Sequence, residues 1–365
     1  MFDRRLLTHF DWFFILLILL VAAIGILNLF SATFSWSFAA RAIHQKQIFW
    51  LLIGLSIAFL LCLFDYRHLK HWAWSLYIGS VLLLGWVQLF GKVSMGARRW
   101  IDLGFFNLQP SEVIKVVIVI TLAGYFSNRS YPQGCGLPQL AVPFLLLAVP
   151  FLLILRQPDL GTALLVVFIG VTLILFVRIR FRTLLFLIMA GALTPWVGWA
   201  FLKDYQKTRI QIFLDPESDP LGAGYHIIQS KIAVGSGGFW GRGFLHGPQS
   251  QLSFLPERHT DFAFSVFAEE WGFAGCTVLL ALYCLIIVWG IYIAYRASDK
   301  FGRYLAVGVI GMLFWHVVIN LGMVIGLLPV VGVPLPLFSY GGTNMVTTMI
   351  GVGLLMNVSM RRFMF

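Results

Sequence analysis

The chain has 365 residues, of which 59% are hydrophobic and 11% are charged. Because a soluble domain carries roughly 25% charged residues, this composition excludes an ordinary soluble protein and indicates an integral membrane protein. The formal net charge of +11 does not indicate nucleic-acid binding, because the basic residues lie between apolar segments rather than on one patch.

Ten apolar segments predict membrane-spanning helices, since roughly 20 apolar residues cross a bilayer. Only helices satisfy their own backbone in lipid at this spacing, so we predict an all-α bundle that forms a single polytopic domain over residues 1–365. No small-residue cleavage site follows the first span, which we therefore expect to be retained. The predicted spans are 12–30, 47–64, 72–90, 112–126, 139–155, 160–177, 183–201, 264–295, 304–327 and 341–358.

Basic residues in the short connections predict the orientation of the bundle, because cytoplasmic loops carry an excess of Lys and Arg. Successive connections lie on alternate sides of the membrane. Those on one side hold thirteen basic residues, and those on the other side hold six. Both termini should therefore be cytoplasmic, and the long segment 202–263 between the seventh and eighth spans should lie outside. The larger set is Arg4, Arg5, Arg67, Lys70, Arg129, Arg178, Arg180, Arg182, Arg296, Lys300, Arg303, Arg361 and Arg362, and the smaller set is Arg41, Lys46, Lys92, Arg98, Arg99 and Arg156.

The start of the fourth span carries an ionisable pair. Pro110 suits the first turn of a helix, and Glu112 and Lys115 are three residues apart, which places them on one helix face. Such a pair is unfavourable in lipid unless it faces protein or a wet cavity. Two interpretations stay open: a polar cavity open to the outside, or an ion pair that fixes helix packing. Just before this span, Trp100 suits a segment lying in the headgroup region.

Further polar features fall in the connections on the same predicted side. Asp159 lies in a tight turn, where it either caps the sixth span or contacts substrate. Residues 225–234 alternate apolar and polar side chains, which predicts short amphipathic helices on or in the membrane surface. The glycines of 235–243 act either as hinges between such helices or as a backbone cradle for phosphate.

The polar stretch 252–261 is the strongest candidate for chemistry. Asp261 lies where a water-facing loop meets the eighth span, so its solvation and its pKa can be tuned. His259 could orient Asp261, titrate itself or serve only structure. The alternative is that these are solvated residues flanking a helix start. Polar residues near the fourth, sixth and tenth spans fall on the same predicted side, which favours a site.

Several long motifs resemble those of one family and together cover nearly the whole chain. They are 96–101 (GARRWI), 109–112 (QPSE) with Lys115, 157–162 (QPDLGT), 215–222 (DPESDPLG), 254–262 (FLPERHTDF) and 334–336 (PLP) with 339–342 (SYGG). On these motifs the chain resembles the SEDS family (shape, elongation, division and sporulation). The resemblance implies ten spans in the bacterial cytoplasmic (inner) membrane and a peptidoglycan glycosyltransferase activity.

The resemblance also implies substrate, partners and site residues. The substrate would be lipid II, the undecaprenyl-pyrophosphate-linked disaccharide-pentapeptide, polymerised on the outer face during cell elongation. A class B penicillin-binding protein would cross-link the strands alongside other elongation machinery. The family's essential acid falls on Asp261, and the polar pair of its central cavity falls on Glu112 and Lys115.

From this chemistry we expect Asp261 to act as the general base on the acceptor 4-hydroxyl, since a hydroxyl is a poor nucleophile at neutral pH. Undecaprenyl diphosphate would leave, and a single displacement would invert the α-linked donor. A divalent cation could assist the diphosphate, although no ligand cluster is present in the sequence, and the four cysteines suggest no metal site or disulfide framework. The basic residues expected to hold the diphosphate are Lys115, Arg98, Arg209, Lys231 and Arg258.

A lipid II flippase is the alternative from another class, because an intramembrane polar pair also suits moving a headgroup across the bilayer. A flippase needs polar residues through the midplane and an inner opening, whereas here they gather on the outer side. A scaffold that only recruits a penicillin-binding protein would leave the in-membrane charges unexplained. A glycosyltransferase is therefore the function that the sequence favours.

Overall fold

The computed structural model describes residues 10–34, 42–94, 97–102, 104, 106–201, 204–219, 222–252, 254–255 and 257–362. Some positions used in the sequence analysis lie outside the described residues. The predictions made for these positions lie outside them too. These positions are Arg4, Arg5, Arg41, Gly96, Pro220, Leu221, Ser253 and Pro256.

Helices dominate the structure, as predicted. They are α1 (Trp12–Thr33), α2 (Ile43–Leu63), α3 (His68–Phe90), α4 (Pro110–Ser127), α5 (Leu137–Arg156), α6 (Leu160–Phe176), α7 (Phe181–Phe201), α8 (Asp204–Leu214), α9 (Ala223–Ser236), α10 (Pro248–Gln251), α11 (Ala263–Arg296), α12 (Lys300–Val324) and α13 (Gly342–Met360). In the described part of the chain, nine are long and apolar enough to cross a membrane, and α6 is a shorter apolar helix. With α6 included, the predicted ten spans are confirmed.

One small sheet interrupts this all-helical plan. Strands β1 (Lys92–Ser94), β2 (Ala97–Asp102) and β3 (Asn107–Leu108) form an antiparallel sheet in the order β1-β2-β3. The sequence analysis predicted only a headgroup-level segment here. A loop long enough to fold back on itself satisfies its backbone by pairing. An exposed ion pair of 2.8 Å joins Lys92 at the start of β1 to Asp102 at the end of β2.

The centre of the bundle is formed by α4, α12 and α13, whereas α7 exposes almost its whole surface. The helices α2 and α13 pack closely, with glycines at their contact. A Cβ built on Gly353 would lie 2.7 Å from the Cα of Ala58, and one on Gly54 would lie 2.7 Å from Met349. Small residues at the contact are the usual solution for helices that associate in lipid.

The two ends of the bundle differ in chemistry. At one end the first and last spans meet: Ser359 donates to Asp11 at 3.2 Å and the Trp289 indole donates to the same carboxylate at 2.8 Å. Asp261 precedes α11, whereas Trp289 lies near the end of that helix, so Asp261 lies at the opposite end of the bundle. The long segment with α8, α9 and α10 also lies at the Asp261 end.

The helix α11 has a break that anchors this long segment. Gly272 has a φ of 60° and a ψ of −163°, which leaves helical hydrogen bonds unmade around it. The loop after α9 supplies partners instead: Gly243 N–H donates to the Glu270 carbonyl at 3.0 Å, and Phe273 N–H donates to the Gly238 carbonyl at 2.9 Å. The expected hinge glycines therefore lie at a helix end and support the kink.

Candidate active site

Asp261 lies at the end of a tight turn that leads into α11. The turn is closed by Thr260, whose backbone N–H donates to the Glu257 carbonyl at 3.1 Å and whose hydroxyl donates to the Glu257 carboxylate at 2.9 Å. Glu257 has a φ of 50°, in the left-handed region that non-glycine residues rarely occupy. Such backbone strain persists only where the surroundings hold it, and it is common at functional sites.

Three cavities meet around this turn. The wide cleft has a volume of about 870 Å³, the flanking cavity about 420 Å³ and the floor pocket about 190 Å³. Asp261 lines both the flanking cavity and the floor pocket, whereas Glu257 lines both the flanking cavity and the wide cleft. The wide cleft is defined by Lys46, Trp50, Trp100, His259 and Tyr340, the flanking cavity by Arg209, His226 and Val330, and the floor pocket by Arg99, Glu112, Asp159 and Asn344.

The electrostatics single out Asp261. The pKa of its carboxyl is raised from 3.8 to about 7, mainly by burial and also by the negative charges of Glu257 and Asp159, while Arg209 opposes the rise. A carboxyl with a pKa near neutrality can both accept and release a proton at working pH. Burial also lowers the pKa of His259, so its imidazole is neutral at pH 7.

The predicted pair at the start of α4 forms a salt bridge, with Lys115 Nζ 2.8 Å from Glu112 Oε1. Both side chains are almost fully buried, and Glu112 lines the floor pocket with Asp261. The other carboxylate oxygen of Glu112 has no hydrogen-bond partner among the described residues. The salt bridge therefore lies within α4, and its Glu112 side chain faces a polar cavity.

A third polar group completes this pair, and the sequence analysis missed it. His316 Nε2, on α12, lies 2.7 Å from Lys115 Nζ, and His316 Nδ1 lies 2.7 Å from the Met312 carbonyl. The available signal was a lone imidazole in an apolar span, which is unfavourable in lipid unless it has a partner. Lys115 and His316 are 201 positions apart in the sequence, so the sequence did not show that they are partners.

The loop before α13 covers the site and is tied to it at several points. Tyr340 N–H donates to the His259 carbonyl at 2.9 Å, and Asn320 donates to the Asp261 carbonyl at 2.9 Å and to the Val333 carbonyl at 2.7 Å. The buried amide of Gln47 donates to the Ser339 carbonyl at 3.0 Å. Sequence reasoning missed Asn320 and Gln47, which are again isolated polar residues in predicted spans.

Asp159 caps the N-terminus of α6, which is one of the two roles that the sequence analysis left open. Its carboxylate accepts from Thr162 N–H at 3.2 Å and from the Thr162 hydroxyl at 2.9 Å. Arg99, which was not proposed as a site residue, holds the preceding turn by donating to the carbonyls of Gln157, at 2.9 Å, and Pro158. Because Asp159 also lines the floor pocket, the cap adds a fixed negative charge near Asp261.

The predicted basic residues differ widely in position. Arg209 lines the flanking cavity with Asp261, and its guanidinium donates to the Val330 carbonyl at 3.4 Å. Arg98 is exposed and donates to the Leu89 carbonyl at 3.2 Å, and Lys231 is exposed with its stem against Gly326. Arg98 and Lys231 are not among the described residues that line the three cavities.

Arg258 is directed away from the cavities. Its side chain is 1% exposed, and its guanidinium donates to the carbonyl of Ser250 on α10. The backbone N–H of Ser250 in turn donates to the buried carboxylate of Glu269 at 3.1 Å. Glu270 accepts from Leu245 N–H at 3.2 Å and from the Ser31 hydroxyl. We name Arg258, Ser250, Glu269 and Glu270 the carboxylate clamp, because they hold the long segment to α11.

Metal ligation is limited in the part of the chain that the structure describes. No group of three or more His, Cys, Asp or Glu side chains there could hold a metal ion. A divalent cation that assists the diphosphate stays a prediction, and the oxygens of the substrate would have to supply ligands.

The chain is similar to known proteins in both sequence and structure. A family model for FtsW, RodA and SpoVE, described as "Cell cycle protein", matches residues 11–363. The peptidoglycan glycosyltransferase MrdB of Escherichia coli (strain K12) is 44% identical over 341 residues, which cover 93% of this chain and 92% of that protein.

Two solved structures share the fold. A chain of a peptidoglycan synthase complex, described as coordinating polymerization and crosslinking, has a TM-score of 0.83 at 38% identity and covers 98% of this chain and 99% of its own. The crystal structure of the rod shape determining protein RodA of Thermus thermophilus has a TM-score of 0.73 at 32% identity, covering 97% of this chain and 98% of its own.

Proposed function

The chain belongs to the FtsW/RodA/SpoVE family and is a peptidoglycan glycosyltransferase, and from this premise we propose that it polymerises lipid II with Asp261 as the general base. The observation that carries the proposal is the position of Asp261. It is a carboxyl with a pKa of about 7 where the floor pocket meets the flanking cavity. A base with that pKa is half deprotonated near neutral pH and still strong enough to take a proton from a hydroxyl.

The proposed step is a single displacement. Asp261 takes the proton of the acceptor 4-hydroxyl, the new bond forms from that oxygen to the anomeric carbon of the donor, and the bond to the diphosphate breaks. The configuration at the anomeric carbon inverts, and undecaprenyl diphosphate leaves with the bonding electrons. A positioned base accelerates such a reaction by roughly 10²–10⁴-fold.

The cavities suggest how the two sugars are arranged. Arg209 gives the flanking cavity a cation for a diphosphate, so the donor would lie there. The wide cleft has aromatic side chains at Trp50 and Trp100, which suit the apolar faces of an acceptor saccharide. Glu112, with one unpartnered buried oxygen in the described structure, would accept a hydroxyl or amide proton of substrate in the floor pocket.

The proposed function also implies a membrane orientation and a protein partner. The excess of basic residues in one set of connections supports cytoplasmic termini, so the Asp261 end would face outwards in a bacterial cytoplasmic membrane. A class B penicillin-binding protein would receive the strands, which is supported by the synthase complex whose chain shares this fold. Arg98, Lys231 and Arg258 would then act on folding or on the partner rather than on the diphosphate.

The test is polymerisation of labelled lipid II by the purified full chain with its penicillin-binding partner, resolved on a gel. Wild type should form long glycan strands, and Asp261→Asn should form none while remaining folded in the membrane. Asp204→Asn is the matched control, because this exposed acid at the start of α8 lines none of the three cavities among the described residues. Strands of normal length from Asp261→Asn would remove it from the role of base, and lipid II translocation without polymer would favour a flippase.

A further inference from the structure

The helix α12 carries an unusual pair of polar side chains. From Leu305 to Val324 its residues are apolar or glycine except for the Trp315 indole, His316 and Asn320. His316 and Asn320 are four residues apart, so they lie on one face of the helix, one turn from each other. Both are buried, with exposures of 3% and 0%. Buried polar groups at membrane depth are unfavourable unless they have specific partners.

The hydrogen bonds of His316 determine which ring nitrogen carries the proton and which accepts from Lys115. The Met312 carbonyl can only accept a hydrogen bond, so His316 Nδ1 must carry the proton that is shared across 2.7 Å. In the neutral ring Nε2 is then an acceptor, and it receives a hydrogen bond from the Lys115 ammonium at 2.7 Å. Lys115 therefore donates in two directions, to His316 and to Glu112. This fixes the rotamer of Lys115 and the orientation of the carboxylate beside the floor pocket.

Asn320 holds the backbone on which Asp261 lies. Its amide nitrogen uses both protons, donating one to the Asp261 carbonyl and the other to the Val333 carbonyl. Val333 follows Gly332, which lines the floor pocket together with Asp261. One side chain thus joins the turn that carries the acid to the loop that covers it.

We propose that His316 and Asn320 are positioning residues for the glycosyl transfer, and that α12 sets the distance between Lys115 and Asp261. The inference rests on the proposed function, because it assumes that both groups act on the same substrate. A rigid helical turn, about 5.4 Å in pitch, separates the two anchors. Errors in position of about 1 Å at reacting groups can reduce rates by about 10²-fold, so such a support has a measurable effect.

The simpler alternative is that these residues only hold helices together. The same helix offers a direct comparison: the indole of Trp315 donates to the Thr172 hydroxyl on α6 at 2.9 Å. That contact is also an intramembrane polar contact between helices, and neither residue lines the three cavities among the described residues. Trp315→Phe therefore removes a helix-to-helix hydrogen bond without touching the proposed machinery.

The experiment is a double-mutant cycle on the purified full chain with its penicillin-binding partner and labelled lipid II. We expect His316→Leu to lower kcat by about 10- to 100-fold with KM changed less than about 3-fold, which indicates a loss in the transition state. His316→Gln retains an acceptor and should recover most of that activity. In a Lys115→Met background His316→Leu should have almost no further effect, because its target is already absent. Asn320→Leu should also lower kcat, while Trp315→Phe should be near wild type.

Several outcomes would overturn the inference while leaving the proposed function intact. One is wild-type kcat in both His316→Leu and Asn320→Leu when wild type polymerises and Asp261→Asn does not. Another is full additivity of His316→Leu with Lys115→Met, which would mean that His316 does not act through Lys115. If His316→Leu does not fold, Asn320→Leu decides, since a loss of kcat in Asn320→Leu no larger than that in Trp315→Phe would show helix association alone.

Discussion

Gly332 and Asp261 approach so closely that a Cβ built on the glycine would lie 3.4 Å from the Asp261 carboxylate. The φ of Gly332 is +73°, a conformation in which other residues are strained. The absence of a side chain therefore leaves the space beside the proposed base open to a sugar. No other residue type combines this backbone conformation with this space.

We expect Gly332→Ala to lower polymerisation at least about 10-fold while its strain destabilises the protein by about 1–3 kcal/mol. The added methyl group would fill the space in which the acceptor hydroxyl must approach Asp261. Rates and thermal unfolding in detergent would be measured together. Gly235→Ala is the control, because a Cβ there meets nothing within 4 Å. Normal kcat in Gly332→Ala would argue against an acceptor beside that face of Asp261.

The spans were predictable because lipid leaves the backbone few choices. Each predicted boundary lies within four residues of a helix end, as with 264–295 against Ala263–Arg296. The contact between Glu112 and Lys115 was also predictable, since spacing along one helix decides it. Local rules of this kind need no knowledge of the tertiary structure.

Tertiary partners were not predictable in the same way. Arg258 looks like a phosphate ligand in the sequence, yet it donates to the carbonyl of Ser250 inside the carboxylate clamp. In the sequence His316 and Asn320 look like isolated polar residues. Their partners are on α4 and in the Asp261 turn, against which α12 packs in the folded protein. The sheet of 92–108 depends on strand pairs that are too short to show a periodic pattern.

The pH dependence of polymerisation should report Asp261 directly. As the proposed base, Asp261 would act in its carboxylate form, so kcat/KM should rise with pH and level off above an inflection near 7, given the pKa of about 7. Removing the negative charge in Glu257→Gln should move the inflection to lower pH, since that charge raises the pKa of Asp261. Removing the cation in Arg209→Gln should move it to higher pH.

Opposite shifts in those two variants are the distinctive result, because general damage to the site would not change sign between them. The measurement is kcat/KM from pH 5 to 9 in each variant at fixed ionic strength. His226→Gln is a useful control. His226 also lines the flanking cavity, but its imidazole is uncharged at pH 7 because burial lowers its pKa. An inflection unchanged in both charge variants would exclude Asp261 as the titrating group.

Stability should depend on Asp261 in a predictable direction. The folded protein holds this carboxyl at a pKa of about 7, whereas the unfolded chain ionises it near 3.8, so the unfolded state binds fewer protons between those values. The contribution of Asp261 to stability is therefore fully present below pH 4 and is lost as pH rises through 7. Asp261→Asn removes this loss, because its amide does not ionise.

We therefore expect Asp261→Asn to unfold at a higher temperature than wild type at pH 8, and at the same temperature at about pH 3.5, below the pKa of the unfolded chain. Thermal unfolding of both proteins in one detergent across that range is the measurement. The gain should accompany loss of polymerisation, which is the usual exchange between stability and function at a strained site. A variant that is less stable at pH 8 would show that the ionised carboxylate is well stabilised in the fold and that its pKa is not raised.

Arg258 and Arg209, both expected from the sequence to hold the diphosphate, should have different roles, because Arg258 belongs to the carboxylate clamp and Arg209 lines the flanking cavity. Arg258→Met keeps the length of the buried side chain but leaves the Ser250 carbonyl without its donor, which should destabilise the protein by about 1–3 kcal/mol. Its KM for lipid II should change little in the fraction that folds. Arg209→Met should instead raise KM with little change in unfolding temperature, because its guanidinium lines the flanking cavity.

Both variants would be compared in one preparation, with unfolding temperature and KM measured on the same samples. Arg242→Met is the matched control for the loss of a positive charge, since the exposed side chain of Arg242 donates to the Ser236 carbonyl at 2.9 Å and lines none of the three cavities among the described residues. A raised KM with normal stability in Arg258→Met would restore Arg258 as a substrate ligand. That result would require the turn at 257–261 to open and turn this guanidinium towards the cavities when the diphosphate binds.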